Sequence, residues 1–288
     1  MRDSAKFIAT MSSDIQKAQL PRLNEFLSQH AVFTVEELDL FLRERGAGSS
    51  NTRKSLLTYY RNQGRILPLR RGLYAVVPFG AHPESVPVDP YLVASKMTPD
   101  AVLAYHTALE FHGKAYSVYT RLHYLTTTKS LPLKFRSYEF RGVPVPPPLQ
   151  KNNKASFGVI CQNRSGVELR VTNLERTLVD VLHRPDLSGS WEEIWRSLES
   201  VEFFDLDQVV EYTQLLKNGT TAAKVGFYLE QHRESLMVGD VHLNQLHSMR
   251  PRQPHYLMRG HKKDSRWLKE WNLIVPVEII HRSWAEVL

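Results

Sequence analysis

Cysteine is almost missing from this sequence: Cys161 is the only one among 288 residues. One thiol excludes an internal disulfide framework and a cysteine-built zinc centre, and it suits a reducing compartment. Long apolar runs are also missing. The N-terminal residues MRDSAKFIATMSS lack the apolar stretch of a secretory signal. Near the C-terminus NLIVPVEII is broken by Pro276 and Glu278, and it falls well short of the roughly 20 residues that cross a bilayer. The expected setting is cytoplasmic, with no membrane partner.

Catalytic signatures are lacking too. No Asp-x-Lys or Glu-x-Lys tripeptide occurs, which removes the usual nuclease core of acids and a lysine around a divalent metal. There is no Walker A sequence, no Gly-x-Gly-x-x-Gly turn and no His-Glu-x-x-His. The segment FDLDQ has the acid spacing of a nucleotidyltransferase but no preceding Gly-Ser, so Asp205 and Asp207 read as a helix cap and first turn. Twelve histidines offer no pair at the four-residue spacing that puts two ligands on one helix face. His106 and His112 are six apart, and His242 and His247 five. They read as structural or surface side chains, and Cys161, inside the apolar FGVICQ, as a buried thiol. No catalytic residue, metal ligand or cofactor is expected.

What the chain does have is an ordinary core composition, 42% hydrophobic and 10% aromatic, with a net charge of +7 and a pI near 9.4. The length fits two domains at about 150 residues each. The basic balance favours an acidic partner, nucleic acid first.

The charge is concentrated early. In FTVEELDLFLRERG, Thr34 and Glu37 have capping-box spacing, and Val35, Leu38, Phe41 and Leu42 form a helical stripe. A second helix should open at Ser49 or Ser50, run to Asn62 and stop at Gly64. Upstream, Leu20, Leu23 and Leu27 give another stripe, with Pro21 in its first turn. RILPLRRGLYAVV then reads as a β-hairpin with Arg70 and Arg71 at its tip. This order of helices and hairpin is that of a winged helix-turn-helix, whose last helix enters the DNA major groove while the hairpin flanks it. On a helical wheel Leu56, Leu57 and Tyr60 face inward, whereas Asn51, Lys54, Ser55, Thr58, Arg61 and Asn62 face outward. Arg53 falls near the buried side. From Arg43 to Arg71 eight basic residues stand against one acid, Glu44, the balance that phosphate neutralisation requires. The candidate DNA-binding set is Ser50, Asn51, Thr52, Arg53, Lys54, Ser55, Thr58, Arg61, Arg65, Arg70 and Arg71. The tip arginines would hold a phosphate or enter the minor groove. A protein-interaction module with a solvated charged face is the competing reading.

Beyond a proline-rich linker at 78–90, PYLVASKM and PDAVLAYHTALEFHG read as helices, the second capped at Asp100 and closed by Gly113. RLHYLTTTK and LKFRSYEFR are β-like, VPVPPPL an extended loop, and FGVICQ and VELRVT strands. TNLERTLVDVLHRP reads as a helix with Thr172 and Glu175 as a second capping box, its Leu174, Leu178, Val181 and Leu182 buried, and Arg176 and Asp180 spaced for an ion pair. Residues 190–236 read as three helices parted near Phe204 and Asn218, and LIVPVEII as a final strand. Arg250 to Lys263 form a basic segment with Tyr256, suited to RNA, DNA flanks or an acidic protein.

Three stretches together resemble a known family. RNQGRILPLRRGLYAVVP, PDAVLAYHTALEFHG and VTNLERTLVDVLHRPDLSG are similar, in the same order, to the wing, following helix and T-x-x-E-R-T-L-V-D helix of AbiEi-type antitoxins from type IV toxin–antitoxin systems. The resemblance implies an α+β chain: a winged helix-turn-helix over 1–80, then a larger mixed α/β antitoxin domain over 81–288. It also implies a bacterial cytoplasmic antitoxin that represses its own promoter at inverted repeats in double-stranded DNA. The antitoxin domain would neutralise a nucleotidyltransferase-like toxin, often in phage defence, without always forming a stable complex. A winged-helix regulator with a ligand-sensing second domain, and a DNA-processing nuclease with an unusual site, are the alternatives.

Overall fold

A computed structural model describes residues 23–258 and 264–286. Leu20 and Pro21, the expected start of the first helix, lie outside the described residues, as do 259–263 of the basic segment. The chain divides into two compact units, 1–97 with 163–169, and 98–162 with 170–288.

In the first unit a helix, α1, is described over 23–29. Strand β1 (Val32–Thr34), helices α2 (Val35–Glu44) and α3 (Ser50–Asn62), and strands β2 (Ile66–Arg70) and β3 (Leu73–Val76) follow. The sheet order is β1-β3-β2, antiparallel throughout. This is a winged helix. The start of α2 is fixed by the capping box that the sequence predicts: Glu37 N–H donates to Thr34 Oγ1 at 3.3 Å, and Thr34 N–H to Glu37 Oε2 at 2.8 Å. Leu23, Phe26, Leu27, Leu38, Leu42, Leu56 and Tyr60 from the three helices meet Phe33 and Ile66 of the sheet in one core. Phe26 sits at its centre, its ring 5.2 Å from Phe33 and 4.9 Å from Phe41. The stretch 78–89 forms turns and irregular backbone up to α4 (Pro90–Ser95), capped by Asp89.

The second unit combines a mixed sheet with a helical bundle. In chain order it has β4 (Val102–Leu103), α5 (His106–Phe111), β5 (Arg121–Thr126), β6 (Leu133–Phe135), β7 (Tyr138–Pro144), α6 (Pro147–Lys151), β8 (Val159–Arg164) and β9 (Val167–Thr172), the last two apart from 163–169, which is grouped with the first unit. Their sheet runs β6-β7-β5-β4-β9-β8, with β4 antiparallel to β5 but parallel to β9. Helices α7 (Leu174–His183), α8 (Trp191–Glu199), α9 (Leu206–Leu216), α10 (Gly219–Gln231) and α11 (Asp240–Met249) follow. A small sheet of β10 (His255–Tyr256), β11 (Ser265–Leu268) and β12 (Leu273–Pro276), then α12 (Val277–His281) and a short 3-10 helix (Ser283–Glu286), complete the described residues. The whole is α+β, a winged helix followed by a larger mixed α/β part.

Helix α7 is the spine of this unit, with every residue from Arg176 to Leu182 buried. The expected pair on it forms. Arg176 Nε lies 3.3 Å from Asp180 Oδ2, both side chains wholly buried. Asp180 Oδ1 also accepts the Tyr212 hydroxyl at 2.7 Å, while Arg176 Nη1 donates to the carbonyls of Ala155 and Phe157 at 2.9 and 2.6 Å. Burial pushes the Asp180 carboxyl up against the pull of Arg176 and Tyr212. Gly158 (φ +62) lets the backbone approach: a Cβ there would stand 2.9 Å from that of Arg176. Gly226 does the same inside α10, where a Cβ would fall 2.1 Å from the buried Trp271 ring.

Several local signals are overridden by tertiary contacts. Asp100 caps no helix. Its carboxylate accepts from the Thr126 hydroxyl and the Thr127 N–H, each at 2.6 Å, so the backbone continues into β4 and the helix begins only at His106. The cap of α7 is Asn173, whose side chain accepts from Arg176 N–H at 3.0 Å; Thr172 ends β9, its hydroxyl 2.7 Å from that of Thr177. LKFRSYEFR folds back on itself as β6 and β7, turning at Arg136 (φ +53). The expected loop VPVPPPL is shared between the end of β7 and the proline-led α6. LIVPVEII is a strand only to Pro276, after which α12 begins. Cys161 is exposed rather than buried, on the edge strand β8.

His106 and His123 of this unit are buried. His106 sits between Glu110 and Glu193, 3.0 Å from each, with its ring stacked on Tyr119. His123 is 5% exposed, and burial, with Arg121 and Arg141 nearby, pushes its pKa down to about 4. The unfolded chain therefore binds a proton here, near the ordinary value of about 6.5, that the folded chain refuses, so stability rises with pH across this window. This group should remove on the order of 2–3 kcal/mol between about pH 7 and pH 4.5. His183, also pushed down by burial, acts in the same direction. All five tryptophans lie between 191 and 284, so urea titrations followed by their fluorescence read this unit alone. A midpoint unchanged over that pH range would contradict a neutral His123.

Candidate nucleic-acid interface

The basic surface of the first unit is built around α3. Ser49 caps it, its hydroxyl accepting from Thr52 N–H at 3.0 Å, and no acid occupies the first turn, which leaves the positive end of the helix dipole uncompensated. Leu56 and Tyr60 anchor the inner face and Leu57 is half-buried against them. Burial pushes the Tyr60 hydroxyl pKa up, so it stays protonated. Opposite, Ser50, Asn51, Lys54, Ser55, Thr58 and Arg61 are all exposed, as is Asn62. These side chains offer amide, hydroxyl and cationic donors on a convex helical surface, the form that fits a major groove.

Four other members of the candidate set are engaged within the protein. The Thr52 hydroxyl bonds to Ser49 Oγ at 2.8 Å. Arg53 pairs with Asp39 of α2, which ties the two helices of the motif together and makes Arg53 a positioning residue. Arg65 Nε donates to the Val77 carbonyl at 3.3 Å, with its guanidinium 5.6 Å from the Phe79 ring centre. Arg70 donates to the Met97 carbonyl.

The hairpin is short. Thr34 of β1 stands opposite Leu73, and the Gly72 carbonyl accepts from Val35 N–H at 2.9 Å, so the Arg71-Gly72 turn is held against the start of α2. Gly72 (φ +83) closes that turn, as a residue without Cβ does at least strain. Of the two tip arginines only Arg71 is exposed. Two residues outside the candidate set also face solvent here: Arg43 in the last turn of α2, and Phe79, which is 90% exposed. Arg43 was countable in the basic run. Phe79 carried no signal, since it lies in the irregular stretch after the hairpin.

Residues 21–77 match the family model described as transcriptional regulator, AbiEi antitoxin. The winged-helix segment is similar to that family. The coarse role that goes with this match is that of an antitoxin-type transcriptional regulator. No curated protein sequence matches the chain. Among solved structures, the RV2827C protein from Mycobacterium tuberculosis is similar with a TM-score of 0.57 and 20% identity, over 93% of this chain and 95% of that one. At that identity the likeness concerns the fold, and it extends well past the AbiEi-type segment. Among the described residues no helix is long and apolar enough to cross a membrane.

Proposed function

We propose that this chain is the antitoxin and autorepressor of a type IV toxin–antitoxin operon in the cytoplasm. Residues 1–80 bind inverted repeats in the operon's own promoter, and residues 81–288 neutralise a nucleotidyltransferase-like toxin without catalytic chemistry. The observation that carries the DNA part is the exposed, acid-free outer face of α3, with Lys54 and Arg61 on it and Arg71 exposed in the neighbouring turn. Lys54, Arg61 and Arg71 neutralise phosphates; Asn51, Ser55 and Thr58 meet base edges. Two copies on an inverted repeat would exclude polymerase by occupancy, half-site spacing matching the twofold relation of the copies.

The test combines two measurements. The full chain should shift a fragment of its own promoter at nanomolar to micromolar concentration, with an affinity that falls steeply with salt. Co-expression should relieve the toxicity of a nucleotidyltransferase-like protein encoded beside it. A promoter fragment bound no better than random DNA, or a neighbouring protein whose toxicity is unrelieved, would overturn the corresponding half.

A further inference from the structure

Strands β6, β7 and β5 lie side by side at one edge of the large sheet. Their register puts Lys134 of β6 and Arg121 of β5 on either side of Glu139 of β7, and Arg141, two residues further along β7, opposite His123. Cross-strand partners share a face of a sheet, and so do residues two apart, so these side chains form one charged row. The row borders a concave surface of about 500 Å³ whose lining includes Thr120, Arg121, Lys134, Ser137 and Glu139. Glu139 is the only acid in that lining.

The acid lies deep and the cations lie outward. The Glu139 side chain is 15% exposed, against 55% for Arg121 and 49% for Arg141. Arg121 Nε donates to Glu139 Oε2 at 2.9 Å, and Arg141 Nε to Oε1 at 2.8 Å. Each carboxylate oxygen thus orients one guanidinium, and the two arginines hold the carboxyl below its ordinary range. A guanidinium carries five N–H donors, so both arginines keep donors beyond those that grip Glu139. Lys134, Thr120 and Ser137 are exposed beside them. The positive field of the row reaches inward: after burial, Arg121 and Arg141 are what lower the His123 pKa.

Fold stability does not call for this row. One arginine would satisfy Glu139, exposed ion pairs contribute little, and like charges side by side on a sheet are destabilising. A lysine on an edge strand discourages unwanted pairing, but that leaves two arginines unexplained. Three cations against one acid leave two positive charges, which match the charge of about −2 on a phosphate monoester near neutral pH. A carboxylate or a phosphodiester carries only one. We propose that this surface binds the terminal phosphate of a small phosphomonoester, with Arg121 and Lys134 gripping it and the Thr120 and Ser137 hydroxyls donating to it. Arg141 adds to the field, and Glu139 is a positioning residue that fixes the guanidiniums. Nucleotides, sugar phosphates and free phosphate share this chemistry. Neither promoter binding nor toxin neutralisation makes use of this face.

Ligand-observed NMR titrations of the full chain at low salt separate these sources. The probes are AMP, glucose 6-phosphate and inorganic phosphate, with dimethyl phosphate and acetate as singly charged controls. At least one doubly charged probe should bind saturably, and the controls should bind about tenfold more weakly or worse. Tighter binding of AMP assigns a nucleotide, tighter binding of glucose 6-phosphate a sugar phosphate, and equal binding the phosphate alone. Arg121→Ala with Lys134→Ala should weaken binding by about tenfold or more, as the loss of charge-assisted bonds implies. An unchanged tryptophan emission maximum shows that this unit stays folded. Lys134→Ala alone, outside the grip on Glu139, should still weaken binding several-fold. Glu139→Gln adds a net positive charge, yet it should also weaken binding, because the guanidiniums lose their anchor. No saturable binding overturns the inference. So does parent affinity in the double variant, which would put the phosphate elsewhere, or tighter binding by Glu139→Gln, which would mean a merely cationic patch. DNA is absent from the assay and α3 is untouched, so failure here is distinct from failure of the promoter reading.

Discussion

Replacing Asp180 by alanine should destabilise the second unit by about 3–5 kcal/mol, the loss typical of breaking a buried ion pair from one side. Arg176 would remain wholly buried, its charge no longer balanced, with its Nη1 bonds to Ala155 and Phe157 unable to replace a counter-ion. Tyr212, also buried, would lose the acceptor of its hydroxyl. Asp180→Asn keeps that acceptor and the shape, so it should cost less than alanine while still leaving the guanidinium without a negative partner. The double change Arg176→Met with Asp180→Leu removes both charges and should recover part of the loss, because no uncompensated charge stays buried, while the Tyr212 hydroxyl still lacks its acceptor and the Ala155 and Phe157 carbonyls their donor. Urea unfolding followed by tryptophan fluorescence reads all three variants in the unit concerned. An alanine variant within 1 kcal/mol of the parent would show that the pair holds nothing together.

That pair also shows how far local spacing reaches. Arg176 and Asp180 stand four apart on a helix, and their pairing follows from helix geometry alone. That both would be wholly buried does not follow, since it depends on Gly158 and on Tyr212 arriving from distant parts of the chain. The same division runs through the fold. The capping box of Thr34 and Glu37, the limits of α3 and the breaks near Phe204 and Asn218 are local, and they appear where their residues predict. Asp100 has the residue type of a helix cap, yet its acceptors are taken by Thr126 and Thr127, more than twenty residues away. Thr172 lost its expected role to the very next residue because β9 runs to its end. Cys161 sits in an apolar run but is exposed, because β8 lies at the edge of its sheet and buries none of its residues, a placement that six residues do not fix. In the candidate interface the outward face of α3 is periodic and readable. The partners of Arg53 and Arg70 are not, because Asp39 and Met97 come from other elements.

Those partners sharpen the expected result for DNA binding. Substituting Lys54, Arg61 and Arg71 together with alanine should lower promoter affinity by about 10²–10³-fold at moderate salt, since three neutralised phosphates would be lost. The slope of log affinity against log salt should become shallower by about 0.9 for each contact, close to 3 in all. Arg70→Ala should behave differently. Its guanidinium is occupied by the Met97 carbonyl, so its removal should leave the salt slope almost unchanged while loosening the fold around the turn. Arg53→Ala should weaken binding through a misplaced α3, and Asp39→Ala should reproduce that effect even though it removes an acid. Thr58→Ala, on the exposed face but uncharged, should change which half-site is preferred more than it changes affinity for random DNA. Gel-shift titrations over a salt series, with specific and random fragments, distinguish these outcomes. If the triple variant kept the parent slope, the outward face of α3 and the Arg71 turn would not be in the interface. If Asp39→Ala tightened binding instead, Arg53 would be a phosphate ligand restrained by its partner rather than a strut between the two helices.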